Sequence, residues 1–209
     1  MATRGPHRYI AVAGNIGVGK STMVEFLCTR YGFRPFMEPN AENPFLDDFY
    51  RDMTRWAFHS QVNFLGNKFR LHRELMQQEG ATVVQDRTIY EDAEVFARNL
   101  HAQGHLTDRE WETYLDLYKA MRGALQPPDL MIYLKCSVRS MRRRIKGRGR
   151  ESEQDIPLAY LKSLNNMYED WFARYDLGPV LVWETDRTNY LTDLVHRLEF
   201  TRALKPFLL

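Results

Sequence analysis

The 209-residue chain has only two cysteines, Cys28 and Cys136, which are far apart in sequence and lie in apolar surroundings. So few cysteines exclude a small extracellular scaffold held together by disulfides. We expect both thiols to be reduced and to lie in the core. This cysteine usage and the lack of a signal-peptide pattern at residues 1–14 favour a cytoplasmic location.

Long apolar runs and a large net charge are also missing. No run approaches the roughly 20 residues of a membrane helix, so no membrane partner is expected. Lys and Arg number 29 against 27 Asp and Glu, a net charge of +2, which argues against a general binder of nucleic acid. Without repeats or low-complexity linkers, residues 1–209 are predicted to form one domain.

Five short apolar runs predict the strands of a parallel sheet covered on both faces, because they are continuous rather than alternating. They cover residues 9–14, 33–38, 81–86, 130–134 and 179–185. Helical patterns lie between them, from Lys20 to a cap at Gly32 and over about 44–79, 88–103, 108–125, 138–147, 157–175 and 189–204. This alternation predicts an α/β fold, in which ligands bind at the carboxyl ends of the strands.

A phosphate-binding loop follows the first strand. The stretch GNIGVGKST fits G-x-x-x-x-G-K-[ST], and it has the required strand before it and helix after it. Its backbone N–H groups can surround a phosphate, while Lys20 reaches the β- and γ-phosphates and Ser21 offers a hydroxyl to Mg²⁺. The predicted ATP-binding residues are Gly14, Asn15, Ile16, Gly17, Val18, Gly19, Lys20, Ser21 and Thr22.

Carboxylates end the next two strands. Glu38 closes the second run before Pro39, and Asp86 closes the third before Arg87. Phosphoryl transfer depends on positioning and charge compensation, and carboxylates here can serve as a base and as a Mg²⁺ ligand. Each also has a purely structural reading, Glu38 as a helix cap and Asp86–Arg87 as an ion pair.

The strongest local charge lies late in the chain. Seven cations fall between Arg139 and Arg150 without an acid, and three carboxylates follow at residues 151–155. A triphosphate would satisfy such a cluster, and Gly147 and Gly149 would allow a lid at about 142–156 to hinge. A solvated helix face is the alternative, and it is expected for Arg139, Arg142 and Arg143. Nucleic acid is disfavoured because no aromatic residue interrupts 138–159.

Five segments together resemble the deoxyribonucleoside kinases in order and approximate spacing. They are GNIGVGKST, EPN, RWAFHSQ, DRTIYED and RGRESEQDIP, and the resemblance runs from Tyr9 to about Leu191. It is similar in particular to the bacterial deoxyadenosine, deoxyguanosine and deoxycytidine kinases, which share the Asp-Arg pair. The resemblance implies a P-loop kinase fold with a five-stranded parallel sheet, an arginine-rich lid, ATP with Mg²⁺ as donor, a deoxynucleoside as acceptor, and a homodimer.

The resemblance also implies roles for single residues. Glu38 matches the general base for the 5′-hydroxyl, Asp86 the Mg²⁺-associated carboxylate, and Arg87 the arginine beside the 5′-oxygen. The remaining acceptor residues match side chains for the base or the sugar: Gln61, Lys68, Asp92 and Phe96 for the base, Trp56 and Phe58 for the pocket wall, and Tyr50 and Glu153 for the 3′-hydroxyl. Arg144, Arg148 and Arg150 match the lid arginines, and residues 186–189 lie where the family packs adenine.

Two departures from the family affect specificity. Lys68 stands where several relatives have an arginine paired with the carboxylate that matches Asp92, and Ser152 replaces a second lid glutamate. Lys keeps the charge but loses the bidentate fork. Gln61 can pair with adenine, guanine or cytosine, whereas thymine has no amine for Asp92. We expect dA and dG to be preferred, dC to follow, and thymidine to be poor.

Two other functions share parts of these patterns. A nucleoside monophosphate kinase similar to thymidylate kinase shares the fold, but it would need a cation for the acceptor phosphate and no base at Glu38. A silent nucleotide-binding regulator would not need Lys20, Glu38, Asp86 and Arg87 together.

Overall fold

One parallel sheet organises the chain, whose computed structural model describes residues 8–37, 43–150, 153, 156–186, 188 and 193–208. Its strand order is β2-β3-β1-β4-β5. The strands are β1 (Arg8–Ala13), β2 (Arg34–Phe36), β3 (Thr82–Asp86), β4 (Leu130–Lys135) and β5 (Val180–Glu184). All five predicted strands are confirmed, and every pairing between neighbours is parallel.

Helices cover both faces of the sheet. Along β1, Tyr9 and Ala11 pack into one hydrophobic cluster, whereas Ile10 and Val12 pack into the other on the opposite face. Both sets are buried, which is why the strand reads as one apolar run. The edge strands differ, since Arg34 and Pro35 of β2 are exposed and β5 is only partly covered. The prediction of full burial is therefore wrong at the two edges.

Helical segments connect the strands. They are α1 (Lys20–Tyr31), α2 (Leu46–Arg51), α3 (Met53–Met76), α4 (Ile89–Glu91), a π-helical segment (Asp92–Ala97), α5 (Arg98–Ala102), α6 (Asp108–Arg122), α7 (Val138–Arg148), α8 (Leu158–Ala173) and α9 (Leu194–Leu208). Gly32 caps α1 in the left-handed region at φ 69°, as predicted. The spacing of Thr107 and Glu110 predicts a capping box at the start of α6, and the structure contains it.

Two predicted helices are interrupted. The segment predicted at 44–79 breaks at Asp52, which leaves the helical region (φ −145°, ψ 85°) and accepts a hydrogen bond from Arg55 N at 3.1 Å. The segment predicted at 88–103 contains the π-helical turns Asp92–Ala97. Such turns add a residue to the helix and are frequent at functional sites.

Helix α3 carries polar residues on its buried stripe. One stripe of buried residues recurs at spacings of three or four: Ala57, Gln61, Leu65, Lys68, His72 and Leu75. Gln61 therefore places a polar amide on the buried face of the helix. By contrast, Tyr114 and Tyr118 of α6 are buried in the hydrophobic core.

The structure also describes the two cysteines, which were expected to be reduced core residues, and the lengths of the helices. Both thiols are free; Cys136 is buried, whereas Cys28 is partly exposed. Among the residues the structure describes, none of the helices combines the length and the apolarity needed to span a bilayer.

His72 provides a test of how the core responds to pH. It is fully buried, and its Nε2 lies 3.0 Å from the carbonyl oxygen of Gln126. Burial lowers its pKa from 6.5 to about 4, although the hydrogen bond to Gln126 opposes this shift. The folded protein therefore keeps His72 neutral at pH values where the unfolded chain protonates it.

We expect the free energy of unfolding to fall as pH drops from about 6.5 to about 4, because the unfolded state binds more protons in that window. The contribution of His72 should be roughly 2–3 kcal/mol. His72→Gln keeps a donor for Gln126 and removes the titration. Urea unfolding of both proteins across this range measures the difference, and parallel pH profiles would contradict the assignment.

Candidate active site

The loop between β1 and α1 depends on glycine at several positions. Gly14, Gly17 and Gly19 have φ values of 145°, 77° and 107°, a region that other residues enter only with strain. Space is also limited, since a Cβ on Gly17 would lie 2.8 Å from Cγ1 of Ile145 and 2.9 Å from the carbonyl oxygen of Met141. The loop is therefore packed directly against α7.

Side chains of the loop reinforce its shape. Asn15 accepts from the N–H of Ile16 at 2.7 Å and donates to the carbonyl of Leu161 in α8 at 3.0 Å. The Lys20 ammonium donates to the carbonyls of Gly14 at 3.0 Å and of Asn15 at 3.2 Å. This holds a buried cation at the mouth of a ring of backbone N–H groups, the arrangement that binds phosphate.

The end of β3 lies beside this loop. Val12 is paired in register with Asp86, and the Ser21 hydroxyl donates to Oδ2 of Asp86 at 2.8 Å. The other carboxylate oxygen, Oδ1, is buried without a hydrogen-bond partner among the described residues. Ser21 and Asp86 are thus an oxygen pair with spare acceptor capacity, which suits a hard cation such as Mg²⁺.

Larger metal clusters have no counterpart in the described ranges. There, no group of three or more His, Cys, Asp or Glu side chains could hold a metal ion. Mg²⁺ does not require such a cage, because it is usually held by one or two carboxylates together with substrate phosphates. The donor set at Ser21 and Asp86 therefore fits a metal that arrives with a nucleotide.

Arg87 has an unusual backbone. It is the one non-glycine residue with positive φ, 63°, within the described part of the chain, and its N–H donates to the carbonyl of Val12 at 3.1 Å. Its guanidinium carbon lies 4.3 Å from the centre of the Phe96 ring. Left-handed backbone at a non-glycine residue costs about 1–3 kcal/mol and is concentrated at functional sites.

A buried carboxylate that the sequence analysis did not identify connects these parts. Oε1 of Glu91 accepts from Gly14 N at 3.2 Å and from the Tyr168 hydroxyl at 2.8 Å. Oε2 accepts from Thr88 N at 2.9 Å. Burial raises the pKa of Glu91, while the charges of Arg87 and Lys20 and the hydrogen bonds from Thr88 and Tyr168 lower it.

Residues predicted to read the base lie on α3 and the π-helical segment, which pack against each other. The Lys68 ammonium and the Asp92 carboxylate form a buried pair with 3.9 Å between Nζ and Oδ1. Gln61 is 3% exposed, and its Oε1 is buried without a hydrogen-bond partner within the described residues. Phe96 is buried on the same segment as Asp92.

Aromatic residues surround this region. Tyr50, Trp56 and Phe58 are partly buried against the main core cluster, and Trp56 stacks on Phe45 at 5.7 Å. Tyr160 of α8 is buried, and burial raises its pKa, as does Tyr50, while Arg87 lowers it. Tyr160 therefore interacts electrostatically with both Arg87 and the predicted sugar residue Tyr50.

Arg144 is anchored within the protein. Its guanidinium donates to the carbonyl of Val18 at 2.8 Å and to the Thr185 carbonyl at 2.5 Å. Arg144 therefore connects the phosphate loop to the end of β5. Arg139, Arg142 and Arg143 are exposed on α7, which confirms the solvated-face interpretation for these three.

The other two predicted lid arginines contact the predicted sugar carboxylate. Arg148 forms an ion pair with Oε2 of Glu153, and Arg150 lies 3.3 Å from Oε1. The arginine side chains are 35% and 46% exposed, whereas that of Glu153 is 13% exposed. The structure thus brings the residues predicted for the phosphates and the residue predicted for the sugar into one cluster.

Some predicted residues fall on parts of the chain without a structural description. Glu38 lies outside the described residues, as do positions 187 and 189 of the predicted adenine turn. Asp186 accepts from Ser137 N at 2.7 Å at the start of α7. Burial would raise its pKa, but hydrogen bonds from Ser140, Ser137 and Cys136 lower it to about 2.

Comparison with known proteins identifies the family to which this chain belongs. The sequence model described as deoxynucleoside kinase matches residues 10–208. The chain belongs to the deoxynucleoside kinase family. It is 36% identical over 188 residues to the deoxyadenosine/deoxycytidine kinase of Bacillus subtilis, covering 88% of this chain and 85% of that one. It is 36% identical over 197 residues to the deoxyguanosine kinase of Lactobacillus acidophilus, covering 90% and 85%.

Solved structures agree with the sequence relatives. The deoxyadenosine kinase from M. mycoides with bound dATP matches with a TM-score of 0.81 and 28% identity, over 96% of this chain and 100% of the other. The predicted α/β fold with a parallel sheet is confirmed. The chain is an ATP-dependent deoxynucleoside kinase, and the comparisons support neither a monophosphate kinase nor a silent regulator.

Several site residues of this deoxynucleoside kinase escaped sequence reasoning. Glu91, Tyr160, Tyr168 and Thr185 contact or adjoin the predicted residues, but neither a motif nor the resemblance implied a role for them. One signal was available, because Thr88-Ile-Tyr-Glu91 has the spacing of a capping box, which the structure contains. That spacing identifies a helix start but does not reveal that the carboxylate reaches the phosphate loop.

The tight packing of Gly17 in the kinase leads to a prediction. Gly104 has φ 76°, almost the same as Gly17, but a Cβ there would meet nothing within 4 Å. Gly104→Ala should therefore cost only the left-handed backbone strain, about 1–2 kcal/mol. Gly17→Ala should lower the free energy of unfolding clearly more than Gly104→Ala does. It should also weaken ATP binding, because the added methyl group would push the loop away from α7.

Chemical denaturation and ATP titration of both variants measure these effects. Equal losses of stability, with ATP affinity unchanged in Gly17→Ala, would show that the contact with Ile145 and Met141 does not constrain the loop.

Proposed function

We propose that this enzyme transfers the γ-phosphoryl group of ATP to the 5′-hydroxyl of a purine deoxynucleoside and also accepts deoxycytidine. The 5′-oxygen forms a bond to the γ-phosphorus as the bond to the β–γ bridging oxygen breaks. The hydroxyl proton passes to a carboxylate, and the products are ADP and the 5′-monophosphate. Relatives named as deoxyadenosine, deoxyguanosine and deoxycytidine kinases support this substrate class.

The observation that carries the acceptor assignment is the buried Gln61. An amide placed in the core without a partner for its oxygen costs stability, about 1–3 kcal/mol. A nucleobase offering an adjacent donor and acceptor would satisfy both ends of the amide. We assign Gln61 to this pairing and Phe96 to stacking on the base.

Base preference would come from the Lys68–Asp92 pair. Asp92 can accept from the exocyclic amine of adenine or cytosine, or from the donors on the guanine edge, and Lys68 holds it in place as a carboxylate. Thymine presents no amine, so its entry would leave an acceptor unsatisfied. We therefore assign dA and dG as preferred substrates, dC as accepted and thymidine as poor.

The chemical step is assigned to residues at the ends of β2 and β3. Glu38 takes the proton, and Arg87 compensates charge near the 5′-oxygen and the phosphoryl group. Ser21 and Asp86 would hold Mg²⁺, which would neutralise charge on the β- and γ-phosphates. Lys20 and backbone N–H groups of the phosphate loop cradle those phosphates, and the hydrogen bond between Ser21 and Asp86 supports this arrangement.

The lid at about 142–156 is assigned to both substrates. Arg144, Arg148 and Arg150 serve the ATP phosphates, and Glu153 with Tyr50 holds the sugar 3′-hydroxyl. The ion pairs of Arg148 and Arg150 with Glu153 support this grouping, because they join the two sets of residues. We also propose a single catalytic domain, a homodimer formed through the long helices, and a cytoplasmic location, none of which the proposed chemistry requires.

A substrate panel tests the proposed reaction. With Mg-ATP, dA and dG should be phosphorylated fastest, dC more slowly, and thymidine, adenosine and dTMP poorly or not at all. Glu38→Gln should lower kcat by at least about a hundredfold, since a positioned base contributes 10²–10⁴-fold. The exposed Glu112→Gln is the matched control, and omission of Mg²⁺ should abolish turnover.

Two results of that panel would overturn the proposal. If thymidine were the best substrate, the assigned preference for the nucleobases adenine and guanine would be wrong. Phosphorylation of dTMP without any nucleoside turnover would remove the assignment of Glu38.

The substitution Gln61→Met tests whether Gln61 acts in base recognition or in stabilising the fold. It removes a buried amide of similar size, so the free energy of unfolding should stay the same or rise. The kcat/KM for dA, dG and dC should nevertheless fall at least about tenfold, because base pairing is lost. Denaturation and steady-state kinetics on one preparation measure both quantities; a loss of stability with kcat/KM intact would make Gln61 a structural residue.

A further inference from the structure

Glu91 is a buried acid for which the proposed mechanism has no role. It is fully buried, and its contacts reach three separate segments: the phosphate loop at Gly14, the Asp86–Arg87 turn at Thr88, and helix α8 at Tyr168. A capping box alone would require only the contacts with Thr88. The contacts of Oε1 with Gly14 and Tyr168 therefore need a further explanation.

The backbone N–H groups and the hydroxyl that contact the Glu91 carboxylate oxygens all donate hydrogen bonds to them. Each oxygen of Glu91 accepts from a backbone N–H, Oε1 from Gly14 at 3.2 Å and Oε2 from Thr88 at 2.9 Å. Backbone N–H groups cannot reverse their polarity, so the site accommodates an acceptor at both positions. An amide in place of the carboxylate would turn a donor toward one of these donors and lose that hydrogen bond.

The negative charge also has specific neighbours. Lys20 and Arg87 both act electrostatically on Glu91; Lys20 donates to the loop carbonyls, and Arg87 stands at the turn after β3. A buried carboxylate that attracts both cations constrains their relative position, because opposite charges attract strongly in a region of low dielectric, and this attraction offsets part of the cost of burying the carboxylate. Tyr168 contacts Phe96 edge-to-face, with ring centres 6.3 Å apart, which extends the network to the acceptor side.

We propose that Glu91 is a positioning residue, which holds the phosphate loop in register with Arg87 through Gly14, Thr88 and Tyr168. It does not touch the substrates in this assignment. Its effect is to fix the distance between the γ-phosphate cradle and the arginine beside the 5′-oxygen. The inference rests on the phosphoryl transfer proposed above. Alignment matters most in the transition state, so Glu91 should affect kcat more than binding of ATP.

The chain supplies a matched control. Thr107 and Glu110 form a second capping box with the same three hydrogen bonds, but on the surface. Glu110→Gln measures what the loss of a capping carboxylate does by itself. Glu91→Gln should lower kcat roughly tenfold or more, as expected for a lost hydrogen bond to a charged group. The KM for ATP should change less than about twofold.

Tyr168→Phe keeps the charge and the capping box and removes one donor to Oε1. It should lower kcat about threefold or more with KM for ATP unchanged, and it decides the matter if Glu91→Gln does not fold. The inference is overturned if Tyr168→Phe has wild-type kcat, or if Glu91→Gln loses no more kcat than Glu110→Gln. Wild-type protein without activity on any deoxynucleoside would instead overturn the proposed function.

Discussion

The parallel pairing of β1 and β3 is the constraint from which the active site follows. Because Val12 is level with Asp86, the phosphate loop and the Asp86–Arg87 turn leave the sheet side by side. The hydrogen bond between Ser21 and Asp86 and that between Arg87 N and the Val12 carbonyl both depend on this register. A shift of one residue would reverse the face of every side chain on β3 and separate Ser21 from Asp86.

Two arginines at the end of α7 have a weakly held protein partner. Arg148 and Arg150 pair with Glu153 through half-exposed side chains, and ion pairs of that kind contribute little to stability, about 0–1 kcal/mol. Phosphate oxygens could replace Glu153 at low cost, which would release that carboxylate toward a sugar hydroxyl. Arg144 differs, because its hydrogen bonds to Val18 and Thr185 are part of the packing around the loop.

Sequence patterns predicted the sheet and the glycine-rich loop after β1, because these depend on local chemistry. Apolar runs of strand length, the GKS tripeptide and the Thr107 cap need only neighbouring residues to be understood. The break at Asp52, the π-helical turns at Asp92–Ala97 and the left-handed Arg87 were not predictable in this way. They arise from contacts with distant segments, as when Arg87 N donates to Val12, 75 positions earlier in the chain.

The same distinction explains why Glu91 was missed and Gln61 was not. Both residues lie in segments of the family resemblance, but that resemblance implies a role only for Gln61, and the contacts of Glu91 with Gly14 and Tyr168 span 77 residues in each direction. Both residues place polar groups where an apolar side chain would stabilise the core more. Proteins retain such polar groups mainly at functional sites, where their role outweighs the loss of stability. In this kinase Glu91 accepts from Gly14 of the phosphate loop, and Gln61 lies on the buried stripe of α3, the helix that packs against the π-helical segment.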